Sequence, residues 1–344
     1  MYSGRRIAVE EGYLTQRASD LARQVYASEE ARQLGTADAL SQVFLPGITE
    51  ERWARNMDLG EGRIAVMDEA RLDMQLLVLS YQGSQMLDPA HAVAEARGIN
   101  DELAAAVRRY PSRLAGLASL PTSHPEAAAV ELERAVRSLG LRGTVIHSHT
   151  RGDEWPQRGI YLDEPEMWPI FEAAESLRVP VYLHPSQPSP QLVRAFTQYG
   201  MMGPIWGYNV EASTHLVRVI LSGVFDIFPE LTLVVGHLGE GIPFYFERLD
   251  AAYAQSNPKQ RLKMPPSEYF RRNIYLTTSG MNSAAALPFC IDVLSADRIM
   301  FAADYPQDPS PLADEVAAMD RLEITDAEKA AIFSGNAEKV FGLV

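Results

Sequence analysis

Cysteine is almost absent: the 344 residues contain one, Cys290. A lone thiol forms no internal disulfide and cannot build a thiolate zinc site, so any metal must be held by nitrogen and oxygen donors. Cys290 lies in the apolar stretch Pro288-Phe289-Cys290-Ile291 and reads as a buried, inert thiol. Positive charge is also in short supply, with 31 Lys and Arg against 45 Asp and Glu and a formal net charge of −14. That balance opposes binding to nucleic acid or to an anionic membrane surface, since both need a basic field. No apolar run approaches the roughly 20 residues that span a bilayer. The opening Met-Tyr-Ser-Gly-Arg-Arg has neither an apolar core nor a small-residue cleavage site, so a cytoplasmic protein is expected. Glu10-Glu11-Gly12 offers no Gly-rich phosphate turn after the first strand, which argues against a doubly wound dinucleotide fold. Internal repeats and breaks in composition that would mark a second domain are lacking too.

What the chain does have is a set of short apolar runs, each ending in a residue capable of chemistry. Arg6-Ile7-Ala8-Val9 delivers Glu10, Val179-Pro180-Val181-Tyr182-Leu183 delivers His184, Leu231 to Gly236 delivers His237, and Ile299 to Ala303 delivers Asp304. Further strands are expected at Met74–Ser80, Leu114–Leu120, Gly143–Ile146 and Ile274–Thr277, giving eight in alternation with helices. Helices are expected over Arg63–Leu72, Asp88–Arg109 (Asp88 capping, Pro89 opening), Pro125–Leu139, Pro165–Leu177 and Glu211–Leu221. This pattern predicts an α/β protein, a (β/α)8 TIM barrel forming one domain over 1–344. The stretch 16–60 is far longer than an ordinary βα loop and reads as a helical insertion over the barrel mouth or at a subunit contact.

In such a barrel the C-terminal strand ends share one opening, so Glu10, His184, His237 and Asp304 are candidates for metal ligation or proton transfer. Glu10 and Glu11 are adjacent, and in a regular strand only one of them faces the axis. Glu, His and Asp form a hard donor set suited to one divalent ion, Mn²⁺ or Zn²⁺, with open positions for water and substrate. In Gly236-His237-Leu238-Gly239-Glu240, Glu240 either orients the His237 imidazole as an acid/base dyad or opens the next helix as a dipole-favoured acid. His147 and His149 follow the fourth strand in a polar stretch, where hydrogen bonding to substrate or loop is expected rather than ligation. His215 sits on a helix in a structural or rim position. Arg248 is either a solvated ion-pair partner or, if the helix end or a partner subunit closes the pocket, a fork for a substrate carboxylate. Arg52 and Arg55, in the insertion, are weaker candidates for that task. His91 and His124 read as exposed residues at helix starts.

Ala8-Val9-Glu10-Glu11, Leu183-His184-Pro185, Ser222 to Pro229, Gly236 to Glu240, Ala303-Asp304-Tyr305-Pro306 and Asn336-Ala337-Glu338-Lys339, in this order, resemble the amidohydrolase superfamily. The resemblance is to its metal-dependent aromatic acid decarboxylases, which act on γ-resorcylate, 2,3-dihydroxybenzoate or 5-carboxyvanillate. It implies Glu10, His184 and Asp304 as metal ligands and His237, oriented by Glu240, as an acid/base group. His149, His215 and Arg248 are then expected to contact the substrate. It implies one divalent ion without an organic cofactor, a small aromatic carboxylate as partner, and a homodimer or homotetramer. The expected reaction is non-oxidative decarboxylation, with Asp304 delivering a proton to the ring carbon before CO2 leaves. From the residues alone His237 is an equal candidate for that proton. One departure is Gly12, where some of these enzymes keep a histidine; it points to three ligands and away from a two-metal hydrolase. The alternatives are a metal-dependent lactone or amide hydrolase, a hydratase on the same scaffold, and a non-catalytic binding barrel.

Overall fold

The structure is a computed structural model and describes residues 2–35, 46–258, 261–281 and 283–343. Eight parallel strands form its centre: β1 (Ile7–Tyr13), β2 (Met74–Leu79), β3 (Leu114–Gly116, resuming at Ala118–Ser119), β4 (Thr144–His147), β5 (Val181–His184), β6 (Leu233–Val235), β7 (Ile274–Thr277) and β8 (Ile299–Met300). Hydrogen bonding runs from β1 to β8 in chain order. Leu117 interrupts β3, but its N–H still bonds the Leu77 carbonyl, while Ala118 N–H bonds Gly143. The ring closes where Val9 N–H meets the Phe301 carbonyl at 3.0 Å and Gly12 N–H bonds Tyr305. The expected (β/α)8 barrel is therefore present, its strands apolar almost throughout because helices cover their outer side.

The helices after β2 and β3 begin where the sequence signals them, at Pro89 and Pro125. The Asp88 side chain accepts the Ala90 N–H at 2.9 Å and Pro89 opens the helix Pro89–Arg109, where a missing N–H costs nothing. Gly140, with φ +76°, follows the helix Pro125–Arg137. The fifth expected helix starts earlier than read, at Gly207, and runs to Leu221. One hydrophobic cluster extends from Ile7 to Leu343. Cys290 is 4% exposed on the helix Ala286–Leu294, and burial pushes its thiol up to about 11, in keeping with an inert group. Among the described residues no helix is long and apolar enough to cross a membrane.

The insertion contributes the helices Gln16–Tyr26, Glu29–Gln33 and Pro46–Met57; residues 36–45 lie outside the described residues. It packs on the chain that follows β2 and β8. Tyr26 and Trp53 pack on Tyr81, just beyond β2, with ring centroids at 5.6 and 5.1 Å. The Ser80 hydroxyl bonds Asn56 Oδ1, and the Gln307 amide approaches the same oxygen at 3.4 Å. Helix Pro46–Met57 is thereby tied to the chain that follows β2 and β8.

Candidate metal centre

Glu10, His184 and Asp304 offer ligand atoms that all lie within 4.8 Å of one another, and among the described residues no other group of three His, Cys, Asp or Glu does so. Each arrives from a different part of the barrel wall. Glu10 comes from β1, His184 ends β5, and Asp304 lies four residues past the end of β8.

The Glu10 carboxylate is 1% exposed. Its Oε2 accepts hydrogen bonds from the Tyr182, Thr277 and Ser279 hydroxyls, the Thr277 bond being 2.6 Å. Its other oxygen, Oε1, is buried without any hydrogen-bond partner. An ionised oxygen left so is costly unless a cation faces it. Burial alone would raise this carboxyl, yet His237, His184 and the hydroxyls outweigh it and hold it below the usual range. His184 supports the same reading: Nδ1 donates to the Pro185 carbonyl at 2.7 Å, leaving the Nε2 lone pair 3.4 Å from Glu10 Oε1. A divalent ion fits this donor set, two carboxylates and one neutral imidazole nitrogen.

Gly236 is the wall on the far side of Glu10. A Cβ there would lie 2.8 and 2.9 Å from the two carboxylate oxygens. Three hydroxyls fix that carboxylate, so it cannot yield cheaply. Gly236→Ala is expected to weaken Mn²⁺ binding about 10- to 100-fold, measured by titration of metal-free protein; unchanged affinity would show that Glu10 tolerates the shift. Gly12 is equally confined, since a Cβ would meet Ser80 Oγ at 2.6 Å and Asn56 Oδ1 at 2.7 Å. A side chain at position 12 would have to displace the Ser80 and Asn56 side chains.

His237 stands beside the cluster. Its Nε2 is 4.0 Å from Asp304 Oδ2 and its Nδ1 is 2.8 Å from Glu240 Oε1. The backbone here makes a left-handed turn, with φ of +52° at His237, +52° at Leu238, +74° at Gly239 and +54° at Glu240. Glu240 lies just before the following helical segment: a 3-10 turn, Ile242–Tyr245, begins two residues on and leads into the helix Phe246–Gln255. Ser279 Oγ accepts the His237 N–H at 3.1 Å, and Asn209 donates to the Glu240 carbonyl at 2.8 Å, pinning both ends of the turn. Burial opposes charge on the His237 ring, but Glu240, Glu10 and Asp304 prevail and lift it well above the ordinary histidine range. Asp304 is raised too: burial and the Glu10 charge push its carboxyl up against the pull of His237 and His184. A raised carboxyl beside a charged imidazole can hold and release a proton.

The other expected site residues sit elsewhere. His215 is wholly buried, its Nε2 accepts the Leu162 N–H at 2.9 Å, and Tyr161 packs edge-on against it; the expected substrate contact is corrected to a structural one, because its helix face is turned into the fold. Burial holds that imidazole down at about 3. His149 is buried against Trp155, with Nδ1 3.2 Å from Ser148 Oγ and 3.5 Å from Glu211 Oε1. These contacts anchor the chain after β4 and do not run to the Glu10 cluster. His147 bonds the Leu79 carbonyl at 2.6 Å, which leaves it a structural histidine. Arg248 is exposed on Phe246–Gln255, away from the cluster in this chain. Unforeseen were the three hydroxyls on Glu10 and the aromatic wall. Tyr208, half-buried and joined to Gln187, feels the charge of Asp304 and stands near Tyr81 and Tyr26. A signal did exist for the hydroxyls: Tyr182 and His184, and Thr277 and Ser279, are two apart and share a strand face.

The comparisons with known proteins agree with this geometry. A family model described as Amidohydrolase matches residues 26–343. The chain is 35% identical over 294 residues to γ-resorcylate decarboxylase of Polaromonas sp., covering 84% of this chain and 89% of that one. Its fold superposes with a TM-score of 0.90 on 5-carboxyvanillate decarboxylase from Sphingomonas paucimobilis, at 39% identity over 99% of this chain and 100% of that one. A dihydroxybenzoic acid decarboxylase from Polaromonas sp., solved with manganese and the inhibitor 2-nitroresorcinol, gives 0.87 at 32% identity, covering 99% and 98%. With family match, strand order and ligand cluster in accord, the chain belongs to the amidohydrolase family, in its branch of metal-dependent decarboxylases of aromatic acids.

Proposed function

We propose that this carboxy-lyase, working as one barrel domain, removes CO2 from a benzoate with a hydroxyl ortho to the carboxylate, protonating the ring before the carbon–carbon bond breaks. The observation that carries the site assignment is the buried Glu10 Oε1, unpartnered and facing His184 and Asp304. Glu10, His184 and Asp304 would hold the ion, Mn²⁺ ahead of Zn²⁺ since related decarboxylase structures contain manganese; no organic cofactor is required. When bound, a divalent ion supplies charge that offsets the substrate carboxylate and phenolate and aligns the ring.

Asp304 gives its proton to the ring carbon bearing the carboxylate, which uses a ring electron pair. The bond to the carboxylate then breaks, its pair returns to the ring, and CO2 leaves; one proton is consumed for each CO2 released. His237, kept in one tautomer by Glu240, holds the neighbouring phenol or water proton and restores Asp304. Tyr26, Tyr81, Trp53 and Tyr208 exclude water and offer ring faces to an aromatic acid. Metal-loaded protein incubated with a panel of hydroxybenzoates is expected to release CO2 and a phenol in equal amounts, with chelation abolishing the reaction and Mn²⁺ restoring it. Lactone cleavage or hydration without CO2 would replace this reading.

Arg248 is assigned to the substrate carboxylate through a second copy of the chain, and the enzyme is placed in the cytoplasm as a homo-oligomer. A groove of about 990 Å³ beside Glu240, lined by Trp206, Val217, Phe244, Tyr245 and Leu249, supports the assembly. Trp206, Phe244 and Tyr245 are 52%, 75% and 53% exposed, more aromatic surface than a lone chain ordinarily leaves in water. Light scattering is expected to give a dimer or tetramer, and Phe244→Glu to shift it toward the single chain; a wild-type monomer would refute the assembly.

A further inference from the structure

Glu11 takes no part in the chemistry above, yet it is fully buried one residue from Glu10. The cause is a bulge. Ala8 pairs with Gln75 and Glu11 with Leu77, so three steps along β1 match two along β2. The Glu11 carboxylate is directed beneath the chain that leaves β8. Oε1 accepts the Ala303 N–H at 2.9 Å, and Oε2 accepts the Tyr305 N–H at 3.3 Å and the Gln75 amide at 3.3 Å.

Those two backbone groups flank Asp304, whose φ of +56° lies in the left-handed region. A non-glycine residue there is strained and persists only where its surroundings hold it. β8 itself ends at Met300, and the β1 backbone reaches this stretch only through the Gly12 N–H on the Tyr305 carbonyl. Burial pushes the Glu11 carboxyl well above the usual range against the pull of the Ala303 N–H and of Arg63, which is also wholly buried. Arg63 donates to Gln75 Oε1 at 3.0 Å and to the Gly12 carbonyl at 2.7 Å, and its guanidinium stands 5.2 Å from the Tyr305 ring centre. Arg63, Gln75 and Glu11 thus form a continuous support that reaches Asp304 from the side opposite the cluster.

We propose that Glu11 is a positioning residue for Asp304: by bridging the N–H groups of Ala303 and Tyr305 it fixes the direction from which the Asp304 carboxylate meets the ion and the ring carbon. This rests on the role given to Asp304 above. Glu11→Gln keeps the shape but leaves one good acceptor oxygen for three donors. At saturating Mn²⁺ its kcat is expected to fall roughly 30- to 100-fold, with KM for the acid within about threefold. The Kd for Mn²⁺ without substrate, read from the spin-resonance signal of the free ion, is expected to rise about tenfold. Leu132→Ala, a cavity in the helix Pro125–Arg137, serves as the stability control and should lower Tm while leaving Kd and kcat in place. Unchanged Kd and kcat in Glu11→Gln, or equal changes in Leu132→Ala, would overturn the proposal. Should Glu11→Gln not fold, Glu11→Asp keeps the carboxyl group but is one methylene short of bridging both N–H groups. It should lose about tenfold in kcat, and full activity would again overturn the proposal. A wild-type protein that binds Mn²⁺ but decarboxylates no hydroxybenzoate would refute the proposed reaction, while the Kd comparison would still decide the role of Glu11.

Discussion

Asp304→Asn is expected to lower kcat by about 10³- to 10⁴-fold while the protein stays folded. Asparagine is nearly isosteric, so the turn past β8 and its bonds to Glu11 remain, and its carbonyl oxygen still faces Glu10 and His184. What it lacks is an acidic proton. Burial and the Glu10 charge already raise the Asp304 carboxyl, the shift expected of a group that carries a proton to carbon. Circular dichroism, metal content by mass spectrometry and CO2 release together separate the possibilities. A folded, metal-loaded Asp304→Asn that keeps more than about a tenth of wild-type kcat would move the proton to another group, and His237 would be the first to test.

His237→Asn is expected to retain the metal and to lose about 10²- to 10³-fold in kcat. Its Nε2 is near Asp304 but its Nδ1 is occupied by Glu240, so it is placed to exchange protons with the cluster and is not among the converging ligand atoms. A divalent ion held by Glu10, His184 and Asp304 would oppose the three carboxylates that raise the ring and so ease release of its proton. Glu240→Gln should show a milder loss, about 10- to 100-fold, because the ring stays but its orientation and basicity do not. Metal content decides the assignment: loss of the ion from His237→Asn would make His237 a ligand.

The alternation of apolar runs with capped helices made the barrel legible, and β7 falls on the four residues read for it, Ile274–Thr277. The ligands were legible for the same reason, since a strand direction fixes which end of the barrel a terminal side chain reaches. Other features depend on contacts across the fold. The run read for β8 extends to Ala303 but the strand stops at Met300, because Ala302 N–H bonds the Thr278 hydroxyl and the ladder ends there. The bulge at Glu10 and Glu11 has no local marker. Strand periodicity therefore suggested one inward carboxylate, whereas both are buried on separate tasks. The left-handed turn at His237 was hidden as well: Leu238 and Glu240 are ordinary residues there, held by Ser279 and Asn209 from distant segments. His215 was misplaced because a helix shows its periodicity in sequence but not which neighbour covers a given face.

Barrel closure between β1 and the chain after β8 has one more consequence. Glu10 and Asp304 lie on opposite sides of the seam where the first strand meets the last, so a cation gripping both acts as a clasp on the ring. A nascent chain that has not yet reached Asp304 cannot present that pair, so ion capture follows assembly of all eight strands. The clasp also ties stripping of the ion to loosening of the two ends: metal-free protein should be cut first by proteases near its termini and regain resistance as the ion is returned.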